Sequence, residues 1–389
     1  MNKRILISSC VFLLSVFHLS FAQDDFEKWK EEQDTDIASM AEEEVKYLES
    51  VTKEYDAYLE EQTRLFENFK TEVEKKWDEF KSSTSKTFVD YDGDLNARSS
   101  IDFEKGVIEI EVIIDDVPEK TADQKHKEGI TALEKKIQKL ISQESDDKKP
   151  ILKDQIKTRS GESVTPREAK TYARETVEEQ RIDQKKIKAK DNSPRIKYTV
   201  KVQMIPNHVE VRAKQFKQNV LKQSKRFNID PAVAFAIMET ESSFNPKARS
   251  HIPAYGLMQL VPGSGARDAY RYVYKKDKLL RGEYLYKPAN NIELGCAYIS
   301  KIFHVYFKGI ENEESAYYCT IAAYNTGPGN VAKALTGTTK LKPVVDAANS
   351  KTSEKVYAAL QNDLPYKETI HYLEKVNDRM SYYQAWLTE

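Results

Sequence analysis

The chain has 389 residues, of which 40% are apolar and 10% aromatic, so it can build cores for two domains and is not a disordered chain. Its 61 lysines and arginines nearly balance its 62 aspartates and glutamates. The resulting net charge of -1 gives no general electrostatic reason to bind nucleic acid or an anionic membrane.

The first residues predict an export signal. Lys3 and Arg4 form a basic start, and the apolar run over residues 5–19 is too short to span a bilayer. Small residues follow in Ser20-Phe21-Ala22, where a signal peptidase would cut. We therefore expect a signal peptide over residues 1–22 and a mature chain that begins at Gln23. An uncleaved anchor is the alternative, and it would keep the same domains outside the cytoplasm.

The chain carries three cysteines. Cys10 follows Ile7-Ser8-Ser9, which loosely resembles a lipoprotein cleavage site, but it precedes most of the apolar run, which disfavours lipidation. Cys296 and Cys319 belong to the mature chain and fall on helical patterns. Export permits a disulfide between them. Two separate buried thiols are favoured, because the sequence gives no distance between the two residues.

A long amphipathic helical segment is predicted over residues 23–82. Its apolar residues recur at steps of three and four, as is typical of one helical stripe; they include Ile37, Ala41, Val45, Leu48, Val51, Tyr55, Leu59, Phe66, Phe69, Val73, Trp77 and Phe80. One helix or a helical hairpin would fit. The stripe could form a coiled coil or cover the next module, but a solvated helix that packs on its own domain is favoured.

Residues 83–205 predict a small α+β domain. In the stretch "RSSIDFEKGVIEIEVII", Glu104-Lys105-Gly106 forms a turn, and isoleucines and valines then alternate with Glu109 and Glu111, so one face is buried and the other wet. A second alternating strand covers residues 196–204. Polar helices are expected between the strands, over about residues 122–141 and 166–187. This domain offers no motif with chemistry.

After Pro206 the composition shifts to helices rich in alanine, tyrosine and aliphatic residues, so we place a domain boundary there and predict an all-helical domain over residues 206–389. Helices are expected over about residues 208–227, 231–243, 291–307, 315–325 and 367–386, with loops rich in glycine, proline and asparagine between them.

The segment "METESSFNP" places two carboxylates at the end of one of these helices. Asp230 before Pro231 is a helix start signal, and residues 232–238 leave no polar face, so the helix lies in the core. Because a helix advances about 100° per residue, Glu239 and Glu241 point to roughly opposite sides and cannot form a dyad. Glu239 is expected to be structural.

Glu241 is the candidate acid. A carboxylate that leaves a core helix into a cleft should have a raised pKa and could act as a general acid. A glutamate at a helix end is more often solvated or salt-bridged, and that alternative stays open from its surroundings alone. The six histidines are scattered, and neither a G-x-S-x-G elbow nor a phosphate loop occurs. No metal and no cofactor are therefore expected, and a lone acid among Gln, Tyr, Asn and Ser favours sugar chemistry.

Five motifs resemble those of the lysozyme-like lytic transglycosylases, in their order and approximate spacing, across nearly all of residues 206–389. They are "ETESSFNPKARS", "AYGLMQLVP", "YKPANNIELGCAYI", "AAYNTGPGNVAKAL" and "LPYKETIHYLEKVN". The upstream stretches "RSSIDFEKGVIEIEVI" and "IKYTVKVQMIPNHVEVRA" also resemble the N-terminal domain and junction of one membrane-bound subgroup. The resemblance implies a lysozyme-like catalytic domain of the goose-type or SLT kind.

The resemblance also implies a role for each motif residue. Glu241 would be the single catalytic acid and base, and Ser242 its motif partner. The other residues implied to bind the glycan are Ser250, Met258, Gln259, Tyr324, Asn325 and Tyr372. Met258 and Gln259 would lie in the groove wall formed by residues 256–259, and the hydroxyl of Tyr372 would come near the acid. Leu257 is expected to be core, and Ser242 could instead be a hydrogen-bonding residue at the helix end.

The implied reaction cuts peptidoglycan glycan strands between N-acetylmuramic acid and N-acetylglucosamine without water and leaves 1,6-anhydro ends. Glu241 would act first as acid and then as base, while the acetamido group stabilises the oxocarbenium ion. Two alternatives stay open: a non-catalytic peptidoglycan-binding scaffold and a hydrolytic muramidase on the same fold. Asp268 and Glu293 are the candidates for the second carboxylate that hydrolysis would ordinarily use.

The N-terminal half departs from the implied family. The predicted cleavage point reads Ser20-Phe21-Ala22-Gln23, without the lipobox cysteine that the subgroup usually carries, so we expect a periplasmic enzyme that is soluble rather than lipid-anchored. The first helical stretch and the charged region over residues 143–192 also look unlike the family. An envelope protein partner could bind the N-terminal helix, and the sequence does not give the oligomeric state.

Overall fold

The structure is a computed structural model, and it describes residues 22–251 and 253–388. Except for Ala22, the predicted signal peptide and its Cys10 lie outside these residues. Residues up to Glu54 form one compact unit and Tyr55–Glu389 form another, and each is described by itself. Helix α1, Ala22–Glu74, contributes to both. None of the helices in the described part of the chain is long and apolar enough to cross a membrane.

In the second unit, α1 ends before the predicted limit at residue 82. The chain turns at Trp77, whose indole donates a hydrogen bond of 2.8 Å to the carbonyl of Leu95. Val73 and Trp77 are buried together with Ile113 and Ile187 of the sheet that follows. The apolar residues at the end of the predicted stripe therefore pack against the sheet.

That sheet has five antiparallel strands in the order β1-β2-β3-β5-β4. They are β1 Thr87–Tyr91, β2 Ala97–Asp102, β3 Val107–Asp115, β4 Ile182–Lys188 and β5 Pro194–Gln203. The two predicted alternating strands are β3 and β5, which pair directly with Ile110 opposite Val200. Helices α2 Ala122–Ile141 and α3 Ala169–Glu179 pack with one face of the sheet to form a separate hydrophobic core.

Two expectations for this region were wrong. The helix predicted to reach residue 187 ends at Glu179, and the residues after it form the edge strand β4. The second sheet face, predicted to be wet, is partly covered, and Glu111 is buried there. It accepts a hydrogen bond of 2.6 Å from Nε of Arg98, whose guanidinium lies 4.1 Å from the centre of the Trp77 ring. Burial of an ionised carboxylate costs free energy unless a charged partner is bound to it, and Arg98 is that partner here.

The rest of the chain is helical and has its own hydrophobic core. Its helices are α4 His208–Phe227, α5 Pro231–Ser242, α6 Gly265–Tyr274, α7 Gly282–Leu285, α8 Pro288–Lys301, α9 Glu313–Thr326, α10 Pro328–Thr336, α11 Lys342–Asn349, α12 Ser353–Asp363 and α13 Lys367–Thr388, with a π-helical turn at Ile302–Tyr306 after α8. Each of the five predicted helices is present. The fold class, a small antiparallel α+β module followed by a helical domain, is thereby confirmed, whereas the boundary at Pro206 stays a prediction.

The centre of this core is α5, in which every side chain of residues 232–238 is fully buried. Its start has the predicted cap, because a side-chain oxygen of Asp230 accepts a hydrogen bond of 2.7 Å from the amide of Ala232. Tyr58 of α1 also belongs to this core and shares a hydrogen bond of 2.6 Å with the hydroxyl of Tyr255. The C-terminal part of α1 therefore packs on the helical domain.

Gly295 of α8 provides a test of packing in this core. A Cβ atom there would lie 2.1 Å from the sulfur of Met258, so Gly295→Ala should lower the free energy of unfolding by about 1–3 kcal/mol. Urea unfolding measures the change. The matched control is Gly329→Ala in α10, where the nearest atom would be 3.9 Å away and little change is expected. Equal stabilities of the two variants would contradict the observed packing.

Candidate active site

The candidate site begins where α5 ends. Ser243 and Phe244 both have left-handed backbone conformations, with φ of 49° and 60°, and they stop the helix directly after its last turn. Left-handed residues are a common way for a helix to end. The last turn therefore leaves the core at a fixed point, and Glu239 and Glu241 are the two carboxylates on it.

Glu239 has structural partners. Its Oε1 accepts a hydrogen bond of 2.8 Å from Nε of Arg379, and its Oε2 accepts one of 2.7 Å from the hydroxyl of Tyr383, both on α13. The guanidinium of Arg379 also donates to Oγ1 of Thr240. These contacts tie α5 to α13 and leave Glu239 in the role expected for it.

Glu241 lies on another side of the helix, and its only hydrogen bond among the described residues comes from Tyr372 of α13. The hydroxyl donates to Oε1 at 2.8 Å. Burial raises the pKa of Glu241 from 4.5 to about 7, although the Tyr372 bond and the charge of Lys86 favour the ionised form. The charge of Glu368 adds to the rise. Glu241 as a whole residue is only partly buried, and with a pKa of about 7 its carboxyl is protonated in part near neutral pH.

The loop over residues 256–259 is fixed beside Glu241 by hydrogen bonds to its backbone. Oγ of Ser242 donates to the carbonyl of Leu257 at 2.7 Å, and the hydroxyl of Tyr324 donates to the carbonyl of Met258 at 2.8 Å. The amide of Met258 donates to Oδ1 of Asn291 at 2.8 Å. Burial raises the pKa of Tyr324 well above its usual value, so it stays a donor.

Two of the expected glycan contacts were wrong. Ser242 is fully buried, and its hydroxyl contacts only backbone carbonyls among the described residues, so it holds the loop against α5 instead of facing a ligand. Met258 is also fully buried, because Gly295 has no side chain and lets the thioether pack against α8. Gln259 is the half-buried side chain of this loop, with φ of 45° and a hydrogen bond of 3.0 Å from Nε2 to the carbonyl of Gly256.

Asn325 and Ser250 are the remaining expected residues. Asn325 is exposed, and its Oδ1 accepts a hydrogen bond of 2.7 Å from Oγ1 of Thr369, on the same helix as Tyr372. Ser250 accepts a hydrogen bond of 3.0 Å from the amide of Ala254 and lines a cavity of about 970 Å³. Residues of α1 and β1 also line this cavity.

The two carboxylates considered for a hydrolytic role have other partners. Asp268 accepts a hydrogen bond of 2.9 Å from Tyr306 and pairs with Lys301 at 2.9 Å. Glu293 accepts hydrogen bonds of 2.5 Å from Arg226 and 2.8 Å from Tyr274. Neither is among the groups that shift the pKa of Glu241. Both are therefore parts of structural ion pairs.

Cys296 and Cys319 are both buried free thiols, as favoured from the sequence. Burial raises the pKa of each to about 12, so neither is a nucleophile near neutral pH. The residues that the structure describes include no group of three or more His, Cys, Asp or Glu side chains that could hold a metal ion.

Sequence reasoning missed two groups that act on Glu241. Glu368 precedes Tyr372 by one turn of α13, so helical spacing from the tyrosine could have found it. Lys86 gives no comparable signal, because it lies 153 residues before Glu239, whose carbonyl it contacts.

Family models match both parts of the chain. The transglycosylase SLT domain matches residues 218–344, and the N-terminal domain of membrane-bound lytic murein transglycosylase C matches residues 51–215. Membrane-bound lytic murein transglycosylase C of Klebsiella pneumoniae subsp. pneumoniae is 32% identical over 302 residues, which cover 76% of this chain and 81% of the relative. The Salmonella typhimurium protein of the same name is 32% identical over 303 residues, with the same coverage.

Among solved structures, an inactive variant of the lytic transglycosylase Slt from Pseudomonas aeruginosa is 27% identical, with a TM-score of 0.35. The match covers 44% of this chain and 24% of that one.

The burial of Glu241 predicts a measurable dependence of stability on pH. Its pKa is raised in the folded chain, so the protonated group stabilises the fold at low pH, and this contribution is lost as pH rises from about 4.5 through about 7. Glu241→Gln does not titrate. Between pH 4 and pH 8 its unfolding free energy should gain about 3 kcal/mol relative to that of the wild type. Urea unfolding at both pH values measures this gain, and a pH-independent difference would contradict it.

Proposed function

The chain belongs to the family of membrane-bound lytic murein transglycosylase C and is a peptidoglycan-cleaving lyase, and from this premise we propose how it cuts the glycan. We propose that it breaks the β-1,4 bond between N-acetylmuramic acid and N-acetylglucosamine without consuming water. Glu241 is the proposed acid and base, and the observation that carries the proposal is a carboxyl at the end of a core helix that accepts a hydrogen bond from Tyr372 and has its pKa raised by burial to about 7.

In the first step, protonated Glu241 gives its proton to the glycosidic oxygen while the bond from that oxygen to C1 of the muramyl sugar breaks. Tyr372 donates to Oε1, which leaves Oε2 as the oxygen that holds the transferred proton. The N-acetylglucosamine side leaves as an alcohol, and the 2-acetamido group of the muramyl sugar stabilises the positive charge at C1. A pKa near 7 suits this step, since the acid is protonated at the working pH and still gives up its proton.

In the second step, ionised Glu241 takes the proton of the muramyl 6-hydroxyl, and that oxygen bonds to C1. The product carries a 1,6-anhydro ring, and Glu241 regains its proton, so the cycle balances without water. The hydrogen bond from Tyr372 favours the carboxylate between the two steps. Gln259, Ser250, Asn325 and Tyr324 are the remaining proposed glycan-binding residues; the last also fixes the loop through the carbonyl of Met258.

Hydrolysis by a muramidase is the second candidate, and the carboxyl of Glu368 favours it. Glu368 is exposed on α13, and its charge acts on Glu241. A second carboxylate could orient a water in place of the 6-hydroxyl. The products separate the two reactions.

Digestion of purified sacculi followed by mass analysis of the muropeptides tests the proposal. We expect products that end in 1,6-anhydromuramic acid, one water lighter than reducing ends, and reducing ends would show hydrolysis instead. Glu241→Gln should lower the cleavage rate by at least about a hundredfold, because it removes the transferable proton while keeping the shape. Glu239→Gln is the control on the same turn. A fully active Glu241→Gln variant would remove Glu241 from the mechanism.

We further propose that the enzyme is exported and acts in the periplasm on peptidoglycan glycan strands. The basic start, the short apolar run and the small residues before Gln23 support export. The related proteins are named membrane-bound, whereas the proposed cleavage point here, Ser20-Phe21-Ala22-Gln23, contains no cysteine. An envelope partner for the N-terminal helix stays a prediction.

The mass of the mature protein from cells tests this route. A chain that begins at Gln23 without added mass is expected if signal peptidase cuts after Ala22. An acylated chain would show lipid anchoring, and a chain that keeps residues 1–22 would show an uncleaved anchor.

A further inference from the structure

Lys86 connects the sheet to the end of the catalytic helix. It directly precedes β1, and its side chain is largely buried. Nζ donates a hydrogen bond of 2.6 Å to the carbonyl of Glu239 and one of 3.1 Å to Oγ of Ser243. The module without catalytic motifs therefore places a cation on the last turn of α5.

This position is electrostatically favourable for a cation. The last carbonyls of a helix have no partner within the helix, and the helix dipole gives that end partial negative charge. The charged groups that act on Lys86 are Glu104, Arg379, Glu241 and Glu239. The groups that act on Glu241 are Tyr372, Lys86 and Glu368, and Tyr324 also interacts with Glu241. Among the described residues, Lys86 is the cation whose charge lowers the pKa of Glu241.

We propose that Lys86 is a positioning residue for the reaction: it fixes the last turn of α5 and supplies the positive charge that stabilises Glu241 once its proton has moved to the glycosidic oxygen. The inference rests on Glu241 being the acid and base. Lys86 does not need to contact the glycan, since it acts through the helix end and through the charge of Glu241.

Arg212 holds the same helix end in a different way. Its Nε donates a hydrogen bond of 2.9 Å to the carbonyl of Ser243, and its other nitrogens bind Gln155 and the carbonyl of Phe103. Its charge is not among those that shift the pKa of Glu241. Arg212 therefore accounts for anchoring alone, whereas Lys86 combines anchoring with an effect on the acid.

Burial lowers the pKa of Lys86 to about 8, so the ammonium is present throughout the range in which Glu241 is protonated. Removing the charge should make the carboxylate less stable and so move the titration of Glu241 to higher pH. The same removal weakens the acid when it must release its proton. A loss of rate together with an alkaline shift is therefore the signature of this role.

The test is the pH profile of kcat/KM on soluble muramyl glycan strands for the full mature chain and two variants. Lys86→Gln keeps a donor for the Glu239 carbonyl but removes the charge. Its alkaline limb should move up by about one pH unit and its kcat should fall about tenfold, with KM changed less than twofold. Lys86→Arg keeps the charge and should retain the wild-type alkaline limb.

Lys76→Met is the matched control. Lys76 also holds a backbone carbonyl, that of Asp94 at 2.7 Å, and it has no part in the shift of Glu241. It should leave the pH profile unchanged. Comparing the unfolding midpoints of all variants at one pH separates lost activity from lost fold.

A wild-type profile for Lys86→Gln, or equal alkaline shifts in Lys86→Gln and Lys86→Arg, would overturn the inference. If Lys86→Gln fails to fold, Lys86→Arg alone decides the question. An alkaline limb that moves away from the wild-type pH in a folded Lys86→Arg variant would contradict the charge role. Glu241→Gln keeps the two proposals apart. An inactive Glu241→Gln with an unaffected Lys86→Gln refutes only the inference, and an active Glu241→Gln refutes the proposed mechanism itself.

Discussion

The site depends on how the last turn of α5 is held. The turn must bring one carboxyl out of a fully buried helix and keep it partly desolvated, which raises the pKa of Glu241 to about 7 and costs stability when it ionises. Three cations hold the backbone or side chains around it: Lys86 at the Glu239 carbonyl, Arg212 at the Ser243 carbonyl and Arg379 at the Glu239 carboxylate. The geometry of the acid follows from these contacts.

The sheet module therefore contributes to the site although it carries no catalytic motif. Its second face is built from buried, paired charges, with Arg98 against Glu111 and the Trp77 ring. Such a pair adds little net stability but fixes geometry, because either charge left alone would be costly to bury. A sheet held in one arrangement keeps Lys86 at one position relative to the end of α5.

The sequence predicted elements with strong local signals and missed those defined by distant partners. The Asp230 cap and the apolar run located α5, and alternation located β3 and β5. The edge strand β4 was read as helix because its exposed, lysine-rich residues have no apolar alternation and its structure comes from pairing with β5. The motifs brought Glu241 and Tyr372 together correctly, but Met258 faces the core because Gly295 admits it, a contact between residues far apart in sequence.

In the proposed mechanism one carboxyl serves first as acid and then as base, so neither its protonated nor its ionised form should be strongly favoured near neutral pH. Burial alone would hold Glu241 protonated, while the Tyr372 hydroxyl and the Lys86 ammonium each favour the carboxylate. Tyr372 comes from within the helical domain, so the motif sequence includes it, whereas Lys86 comes from the module before it. The groups that favour ionised Glu241 thus come from both parts of the chain, and a helical domain without the sheet module would keep Tyr372 and lose the charge of Lys86.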